Sequence, residues 1–267
     1  MTYPENESRG KGLYSEEKNE RVSVIIPVYN AENFIKTTIE SVRRQTFEDW
    51  ELFLVDDCSK DRTKEIIEEY VSLDKRIHYI PMEENKGAWA ARNKGLEVSG
   101  GRYVAFLDSD DVWKEEKLEK ELAYMTQKGA GFVFTSYEFA DENSVGTGRV
   151  VRVPEELTLK QAYHNTIIFT STVLLDREKI AEKLMYMPNM RSEDTATWWT
   201  IMKAGHKAVG LNENLVLYRR SQGTLSSNKV KALKRIWVLL REIGGLNIFQ
   251  SAWHFMLWAF LAVKRRI

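Results

Sequence analysis

The chain has 267 residues, with 39 Lys and Arg against 39 Asp and Glu, so it carries no net formal charge at neutral pH. A chain of this length can bury a sizeable core as one large domain, and its balanced charge excludes the broad basic field of a nucleic-acid-binding protein. The single cysteine, Cys58, excludes an intramolecular disulfide and a cysteine-based zinc cluster, and it fits a reducing compartment such as the cytoplasm.

The two ends of the chain differ in composition from its middle. Residues 1–20 are rich in Glu, Asn, Lys, Ser and Gly and hold no apolar run long enough for a signal peptide, so they are predicted to be a disordered leader. Residues 21–227 are predicted to form one domain. Residues 228–267 are predicted to form two C-terminal helices, divided at Gly244-Gly245.

Short apolar strands alternate with amphipathic helices through the first half of the chain. The predicted strands are 22–28, 51–55, 77–80 and 103–107, and the predicted helices are 31–46, 62–71 and 87–98. The first strand is nearly continuous in β-branched residues, and it is expected to end near Pro27, which lacks a backbone donor. This alternation predicts an α/β fold with a mostly parallel sheet, whose ligand lies beyond the carboxyl ends of the strands.

The second half of the chain is less regular. Helices are predicted at 115–128, 195–204, 228–242 and 246–263, strands at 132–139, 171–175 and 209–217, and a polar loop at 141–148. Polar residues interrupt the last helix, and its uninterrupted apolar part, 255–263, is far shorter than the roughly 20 residues that cross a bilayer. This helix is therefore expected to lie on a membrane surface rather than to span it, or to pack on the domain or on a second subunit.

Acidic residues follow the fourth predicted strand as Asp108-Ser109-Asp110-Asp111. If strand geometry persisted, the carboxylates of Asp108 and Asp110 would project to one face and Ser109 to the other. Mg²⁺ or Mn²⁺ needs only one or two such carboxylates when substrate phosphates supply the remaining oxygen ligands. The alternative is an acidic turn or helix cap, with Asp111 near the start of the next helix.

The first two predicted strands also end in residues suited to a nucleotide. Tyr29 offers a flat face to a nucleobase, and Asp57 can accept a hydrogen bond from a base N–H or a ribose hydroxyl. Ordinary packing of the aromatic ring, and capping of the next helix by Ser59 or Asp61, are the competing interpretations. Cys58 is interpreted as a turn residue, because no base stands beside it in the sequence.

Two later segments carry charge that a transfer reaction needs. A carboxylate in Glu193-Asp194 can deprotonate a hydroxyl, a role worth about 10²–10⁴ in rate, or it can simply favour the start of a helix. Arg219 and Arg220 lie in a basic segment that suits a leaving diphosphate, although a solvated loop has the same composition. The sequence has no Gly-rich phosphate loop of the kinase or dehydrogenase type.

Five segments, taken in order, closely resemble the inverting family-two glycosyltransferases of the GT-A fold over about residues 21–225. They are Val24-Ile25-Ile26-Pro27-Val28-Tyr29-Asn30, Val55-Asp56-Asp57-Cys58-Ser59-Lys60-Asp61, Asn85-Lys86-Gly87 with Ala91-Arg92-Asn93, Phe106-Leu107-Asp108-Ser109-Asp110-Asp111, and Ser192-Glu193-Asp194. Each segment is weak evidence, but the ordered set is specific. Within the family, the chain is most similar to bacterial surface-polysaccharide transferases, in particular to those of teichuronic acid biosynthesis.

The resemblance implies a role for each matching residue. Asp110 would be the main ligand of Mn²⁺ or Mg²⁺, with Asp108 near the ribose or sharing the metal, and Asp194 would be the general base. Tyr29 would stack near the uracil, and Asp57 would contact the base. The full set of implied donor-binding residues is Pro27, Tyr29, Asp57, Lys86, Asp108, Arg219 and Arg220.

The implied activity is transfer of one sugar from a nucleotide sugar, expected to be a UDP-sugar, to a glycan or lipid-linked acceptor in bacterial cell-envelope synthesis. The Gln-x-x-Arg-Trp sequence and the multiple transmembrane helices of processive synthases are missing, which predicts a non-processive enzyme. Residues 246–266 combine apolar and basic residues, so they are expected to contact the inner leaflet of the cell membrane and to make the enzyme peripheral there.

Two other functions remain open from the residues alone. A nucleotidyltransferase also uses acidic residues, a metal and a nucleotide, but it normally has a Gly-rich basic loop where this chain has Tyr29-Asn30-Ala31-Glu32. A non-catalytic nucleotide-sugar binding protein would share the donor site and would not require Asp194.

Overall fold

The computed structural model describes residues 20–219 and 229–264. Almost all of the predicted leader therefore lies outside the described residues, as does Arg220. The strands are β1 (Val22–Val28), β2 (Trp50–Asp56), β3 (Ile77–Pro81), β4 (Tyr103–Phe106), β5 (Val112–Trp113), β6 (Phe132–Ala140), β7 (Gly146–Val151), β8 (Glu156–Leu157), β9 (Val173–Asp176) and β10 (Ala208–Arg219).

The α-helices in the described part of the chain are α1 (Ile35–Arg43), α2 (Thr63–Leu73), α3 (Ala88–Val98), α4 (Lys117–Lys128), α5 (Leu159–Ala162), α6 (Glu193–Lys203), α7 (Lys229–Val238) and α8 (Ile248–Lys264). A π-helical turn, Leu239–Ile243, continues α7. A 3₁₀ turn, Thr170–Thr172, leads into β9.

The strands form one mixed sheet in the order β3-β2-β1-β4-β9-β6-β10-β5, with β7 added beside β6 and β8 beside β10. Strands β3, β2, β1 and β4 run parallel, and β10 runs parallel to β6. Strand β9 is antiparallel to both of its neighbours. Most of the paired residues lie in parallel pairs, so the prediction of a mixed, mostly parallel sheet is confirmed.

Helices cover both faces of this sheet, which explains the nearly continuous apolar run of β1. Val24 belongs to the core on one face, with Ile39 of α1. Ile25 belongs to the core on the other face, with Phe106 of β4 and Trp198 of α6. Because successive side chains of a strand point to opposite faces, a strand covered on both sides has no polar positions to alternate.

Strand β1 ends at Val28, one residue after Pro27, so the expected end of this strand near Pro27 is confirmed. The ladder between β1 and β4 closes where N of Leu107 donates to O of Ile25. The nitrogen of Pro27 also faces the side of β1 on which β4 lies, but β4 has already ended at that level. The missing N–H of Pro27 therefore leaves no hydrogen bond of the β1–β4 ladder unmade. Strand β1 keeps pairing with β2, and N of Asp57 donates to O of Val28.

The other differences from prediction concern short or exposed strands. The polar loop predicted at 141–148 is wrong in its second half, because β7 begins at Gly146. Strand β7 is mostly exposed at the sheet edge and has no buried face to create an apolar alternation. Strands β5 and β8 have two residues each and lie beside β10, too short for any periodic pattern.

The C-terminal helices pack against the same face as α3 and α6. Leu239 and Leu240 of the π-helical turn are fully buried in that core. One side of α8 follows them, with Ser251 and His254 buried and the indole Nε1 of Trp258 donating to Oγ1 of Thr166 at 3.3 Å. Within residues 20–219 and 229–264, none of the helices has the length and apolar character that crossing a bilayer requires.

Candidate active site

The carboxyl ends of β1, β2 and β4 meet at one edge of the sheet, because these strands are parallel neighbours. The loops that follow them enclose a cavity of about 400 Å³. Its lining includes Pro27, Tyr29, Asp57, Asp108 and Asp110, all of which the sequence predicted to bind donor or metal. The structure thus brings together residues that lie up to 83 positions apart in the chain.

Asp57 anchors the turn that opens α3. Its Oδ1 accepts from N of Lys86 and its Oδ2 from N of Gly87, both at 2.7 Å. Gly87 has φ of +93°, a backbone conformation that favours glycine. Each carboxylate oxygen can accept a second hydrogen bond, so Asp57 retains capacity for a nucleobase. The Lys86 side chain pairs with Glu84 at 3.4 Å and does not line the cavity, so this residue enters the site through its backbone.

Tyr29 stands on the cavity wall with 52% of its surface exposed, so it is not a packed core aromatic. The loops around it hold two non-glycine residues in the left-handed region, Asn30 with φ of 49° and Cys58 with φ of 64°. Oδ1 of Asn30 accepts from N of Lys60, and Sγ of Cys58 donates to O of Met82. Such conformations persist only where surrounding contacts fix them, so Tyr29 is presented from a held loop.

The acidic segment after β4 is a turn, so the strand geometry that would project Asp108 and Asp110 to one face does not persist there. N of Asp111 donates to O of Asp108 at 3.0 Å, which closes the turn. Asp108 and Asp110 nevertheless both line the cavity. Asp111 does not start a helix. It is fully buried, and its carboxylate accepts from Oγ of Ser171 and from N of Arg219, which ties the turn to the neighbouring strands.

Asp110 is the second carboxylate of the acidic turn that lines the cavity. Within the described residues, no side chain donates a hydrogen bond to it. Burial, followed by the negative charge of Asp108, raises the pKa of Asp110 to about 6, although the positive charge of Arg219 opposes this shift. A divalent cation would compensate both charges, and these hard oxygen ligands suit Mg²⁺ or Mn²⁺. The described residues contain no group of three or more potential ligand side chains, so phosphate oxygens would have to complete the coordination.

Arg92 of α3 connects the acidic turn to α6, a role that the sequence analysis did not assign. Its Nη2 donates to Oδ1 of Asp108 at 2.6 Å and its Nη1 to Oε1 of Glu193 at 2.8 Å. Burial opposes the charge of this guanidinium, but Asp108, Glu193 and Asp194 outweigh burial and raise the pKa of Arg92. The feature of the sequence that could have indicated this role is the single arginine in a helix otherwise rich in small residues.

Gly95 explains how α3 reaches this position. A Cβ at Gly95 would lie 2.4 Å from Cγ2 of Ile25, so only glycine lets the helix approach β1 this closely. Arg92 is one turn earlier on the same helix and is thereby carried to the carboxyl end of the sheet.

Asp194 lies in the first turn of α6 and is not among the residues that line the cavity, although it interacts electrostatically with Arg92, which is. Its Oδ2 accepts from Oγ1 of Thr170 at 2.9 Å, and its Oδ1 accepts from N of Thr195. Ser192, immediately before the helix, has φ of 61° and reverses the chain. The neighbouring Glu193 is held by Arg92, and burial raises its pKa although Arg92 opposes that shift. Within the described part of the chain, Asp194 is therefore the carboxylate of this pair that forms no ion pair.

Arg219, the last residue of β10, is a buried cation beside the donor cavity. Its guanidinium lies 4.8 Å from the ring centroid of Phe34, which lines the donor cavity. Among the described residues, its Nε and Nη2 have no hydrogen-bond partner. Burial lowers the pKa of Arg219, while Asp110 and Asp111 act in the opposite direction. A buried guanidinium with unused donors beside the acidic turn is suited to bind a diphosphate.

Residues 23–185 match the model of glycosyl transferase family 2. The chain belongs to that family. This family-two glycosyltransferase is 45% identical to the putative teichuronic acid biosynthesis glycosyltransferase TuaG of Bacillus subtilis, over 92% of this chain and 97% of that protein. It is 39% identical to the UDP-Glc:alpha-D-GlcNAc-diphosphoundecaprenol beta-1,3-glucosyltransferase WfgD of Escherichia coli, over 83% and 85% of the two chains. The resemblance read from the ordered segments is confirmed.

Solved structures share the fold of this family-two glycosyltransferase. TarS of S. aureus in complex with UDP-GlcNAc superposes with a TM-score of 0.68 at 23% identity, covering 90% of this chain and 71% of that one. The mannosyltransferase PcManGT of Pyrobaculum calidifontis, in complex with GDP-Man and Mn²⁺, gives a TM-score of 0.66 at 18% identity over 92% and 70%. The predicted GT-A-like architecture is confirmed by these neighbours.

Proposed function

We propose that this glycosyltransferase is a non-processive, inverting enzyme that moves one sugar from a UDP-sugar to a hydroxyl of a lipid-linked acceptor in bacterial cell-envelope glycan synthesis. The observation that carries the proposal is the cavity in which Tyr29, Asp57 and Asp110 converge, with the unpartnered donors of Arg219 beside it. The names of TuaG and WfgD support the envelope context, and that of WfgD supports a diphosphate-lipid acceptor. Family membership favours this function over a nucleotidyltransferase.

The cavity residues suit a nucleoside diphosphate. The exposed ring of Tyr29 offers a stacking face for uracil, and the carboxylate of Asp57 can accept from a base N–H while it holds the turn before α3. Asp108 keeps Oδ2 available for a ribose hydroxyl, because its ion pair with Arg92 uses Oδ1. Arg219 would hold the diphosphate through Nε and Nη2.

The chemistry then requires one base and one stabiliser of the leaving charge. Asp194 takes the proton from the acceptor hydroxyl, whose oxygen bonds to the anomeric carbon as the bond from that carbon to the diphosphate oxygen breaks. Inversion follows because the acceptor oxygen enters opposite the departing diphosphate. Arg219 stabilises the charge that develops on that diphosphate. A bound Mn²⁺ or Mg²⁺, held by Asp110 with or without Asp108, would supply further compensation of the same charge.

A donor screen tests this function. Incubating the enzyme with Mn²⁺, a panel of UDP- and GDP-sugars and membrane lipid extract should release nucleoside diphosphate from at least one UDP-sugar, and chelation by EDTA should stop the release. A nucleotidyltransferase would instead form diphosphate from UTP and a sugar phosphate. Binding of UDP-sugars without release of UDP under any of these conditions would leave only the non-catalytic binding protein and contradict the proposal.

The outer side of α8 supports a peripheral position on the membrane. Four apolar residues on it, spaced by three or four positions, are 57–84% exposed, namely Phe249, Trp253, Met256 and Phe260. Because the inner side of α8 packs on the core, packing on the domain does not account for this outer stripe. The helix ends at Lys264, and Arg265 and Arg266 follow in the sequence. An apolar stripe beside clustered cations complements an anionic lipid surface, so we propose that α8 seats the enzyme on the inner leaflet.

The exposed stripe can be tested without disturbing the core. The double variant Phe249→Ser/Trp253→Ser should bind vesicles of phosphatidylglycerol and phosphatidylcholine at least about tenfold more weakly than wild type, because each side chain loses burial in the interface. The double variant Leu73→Ser/Val145→Ser removes two side chains that are 71% and 62% exposed elsewhere, and it should bind like wild type. Equal cosedimentation of all three proteins, or a dimer that only the first variant loses, would contradict membrane contact.

A further inference from the structure

A second cavity, of about 350 Å³, opens between the segment before α6 and helix α7. We call it the α7 groove. Its lining residues are Met190, Arg191, Lys234, Arg235, Val238 and Glu242. Met190 and Val238 form its apolar wall. The positive charges of Arg191, Lys234 and Arg235 outnumber the one negative charge of Glu242, so the groove is positively charged.

The three cations of the α7 groove are available to a ligand. Within the described residues, the side chains of Arg191, Lys234 and Arg235 form no ion pair and no hydrogen bond. Like charges gathered in one concavity repel each other, and an anion bound among them relieves that repulsion. Arginine and lysine are the side chains that proteins use most for phosphate groups.

The α7 groove is next to the candidate base along the chain. Met190 and Arg191 are followed by Ser192, whose left-handed backbone reverses the direction, and then by Glu193 and Asp194. The short segment 190–194 therefore lines the α7 groove at its first two residues and carries the proposed base, Asp194, at its last. A molecule held in the groove lies close to the residue that is proposed to deprotonate the acceptor.

Helix α7, which carries one side of the groove, also contacts α8. Trp237 of α7 packs edge-on against Phe255 of α8 with ring centroids 5.9 Å apart. The groove therefore lies on a helix that is in direct contact with α8, the helix for which membrane contact is proposed. A free phosphate or a soluble sugar has no apolar part to contact Met190 and Val238.

We infer that the α7 groove binds the diphosphate of a lipid-linked acceptor. Arg191, Lys234 and Arg235 hold its negative charge, and Met190 and Val238 contact the first carbons of its lipid. This inference rests on the proposed function, because it gives a place to the acceptor of that reaction. It assigns acceptor recognition to a site separate from the donor cavity.

Geranyl diphosphate is a suitable probe, because it carries a diphosphate on a short apolar chain and dissolves in water. Titration into the full-length enzyme, with UDP and Mn²⁺ saturating the donor cavity, should give a single binding event. In the double variant Lys234→Glu/Arg235→Glu, the Kd should rise about 10- to 100-fold, as expected for the loss of two charged contacts. The charge-matched variant Lys75→Glu/Lys183→Glu changes two exposed lysines outside the groove and should keep the wild-type Kd.

Two comparisons separate the parts of this inference. Inorganic diphosphate should bind at least about tenfold more weakly than geranyl diphosphate, and equal affinity would overturn the lipid-linked class of ligand. An unchanged Kd for geranyl diphosphate in Lys234→Glu/Arg235→Glu would overturn the groove while UDP binding still supported the proposed function. Failure of wild type to bind UDP with Mn²⁺ would instead count against the proposed function itself.

Discussion

Replacing Asp110 by asparagine should weaken Mn²⁺-dependent binding of UDP by about 100-fold or more and should remove sugar transfer to a similar extent. The physical reason is the position of Asp110, which is a carboxylate without a side-chain partner in the described structure and shares the cavity with Asp108. An amide is a poor ligand for a hard divalent cation compared with a carboxylate. Calorimetric titration of UDP with Mn²⁺, and then with EDTA, measures the effect.

The same variant should not lose stability. In the absence of metal, burial and Asp108 both raise the pKa of Asp110, so the charged form is the disfavoured one and an uncharged amide should leave the thermal unfolding midpoint unchanged or higher. Asp49→Asn, at an exposed ion pair with Arg21 before β2, is the matched control for UDP affinity. Wild-type affinity for UDP with Mn²⁺ in Asp110→Asn would remove Asp110 from the metal site.

Replacing Asp194 by asparagine should lower kcat for sugar transfer by about 10²–10⁴-fold with little change in UDP affinity, the range typical for loss of a general base. The amide can keep both local contacts, because its oxygen can accept from N of Thr195 and its NH₂ can donate to Oγ1 of Thr170. The loss would then reflect proton transfer rather than a displaced helix. Single-turnover transfer at saturating donor measures it.

Glu193→Gln is the informative comparison for Asp194. Its carboxylate is committed to Arg92, so the substitution should disturb the link to Asp108 and change UDP affinity as well as kcat. A variant Asp194→Asn that transfers sugar at the wild-type rate, combined with a Glu193→Gln variant that does not, would reassign the base to Glu193.

The positions of the candidate site residues were predictable because they follow from the order of buried strands. Parallel strands that neighbour each other end at one edge, so residues after β1, β2 and β4 had to meet there once the alternation of strands and helices was recognised. Tyr29, Asp57 and Asp108 illustrate this. Their roles in catalysis remain predictions.

What the sequence did not indicate depends on contacts between distant segments. The ion pairs of Arg92 with Asp108 and Glu193 span 16 and 101 positions, and no local pattern specifies either. The residues next to Asp111 in the sequence indicated a possible helix start. Its hydrogen-bond partners, Ser171 and Arg219, lie 60 and 108 positions away. Burial of a charged side chain is visible only when its partners are in place.

Arg92 also sets a spacing. A single guanidinium, fixed on a helix that Gly95 holds against β1, touches the turn that carries Asp110 and the helix that carries Asp194. We expect this guanidinium to hold the proposed metal-binding turn and the proposed general base at a fixed separation. Loops that recognise the sugar and surfaces that recognise the acceptor can then differ in sequence between relatives while the distance between these two groups is kept. We therefore expect that exchanging such loops between relatives changes the linkage that is formed.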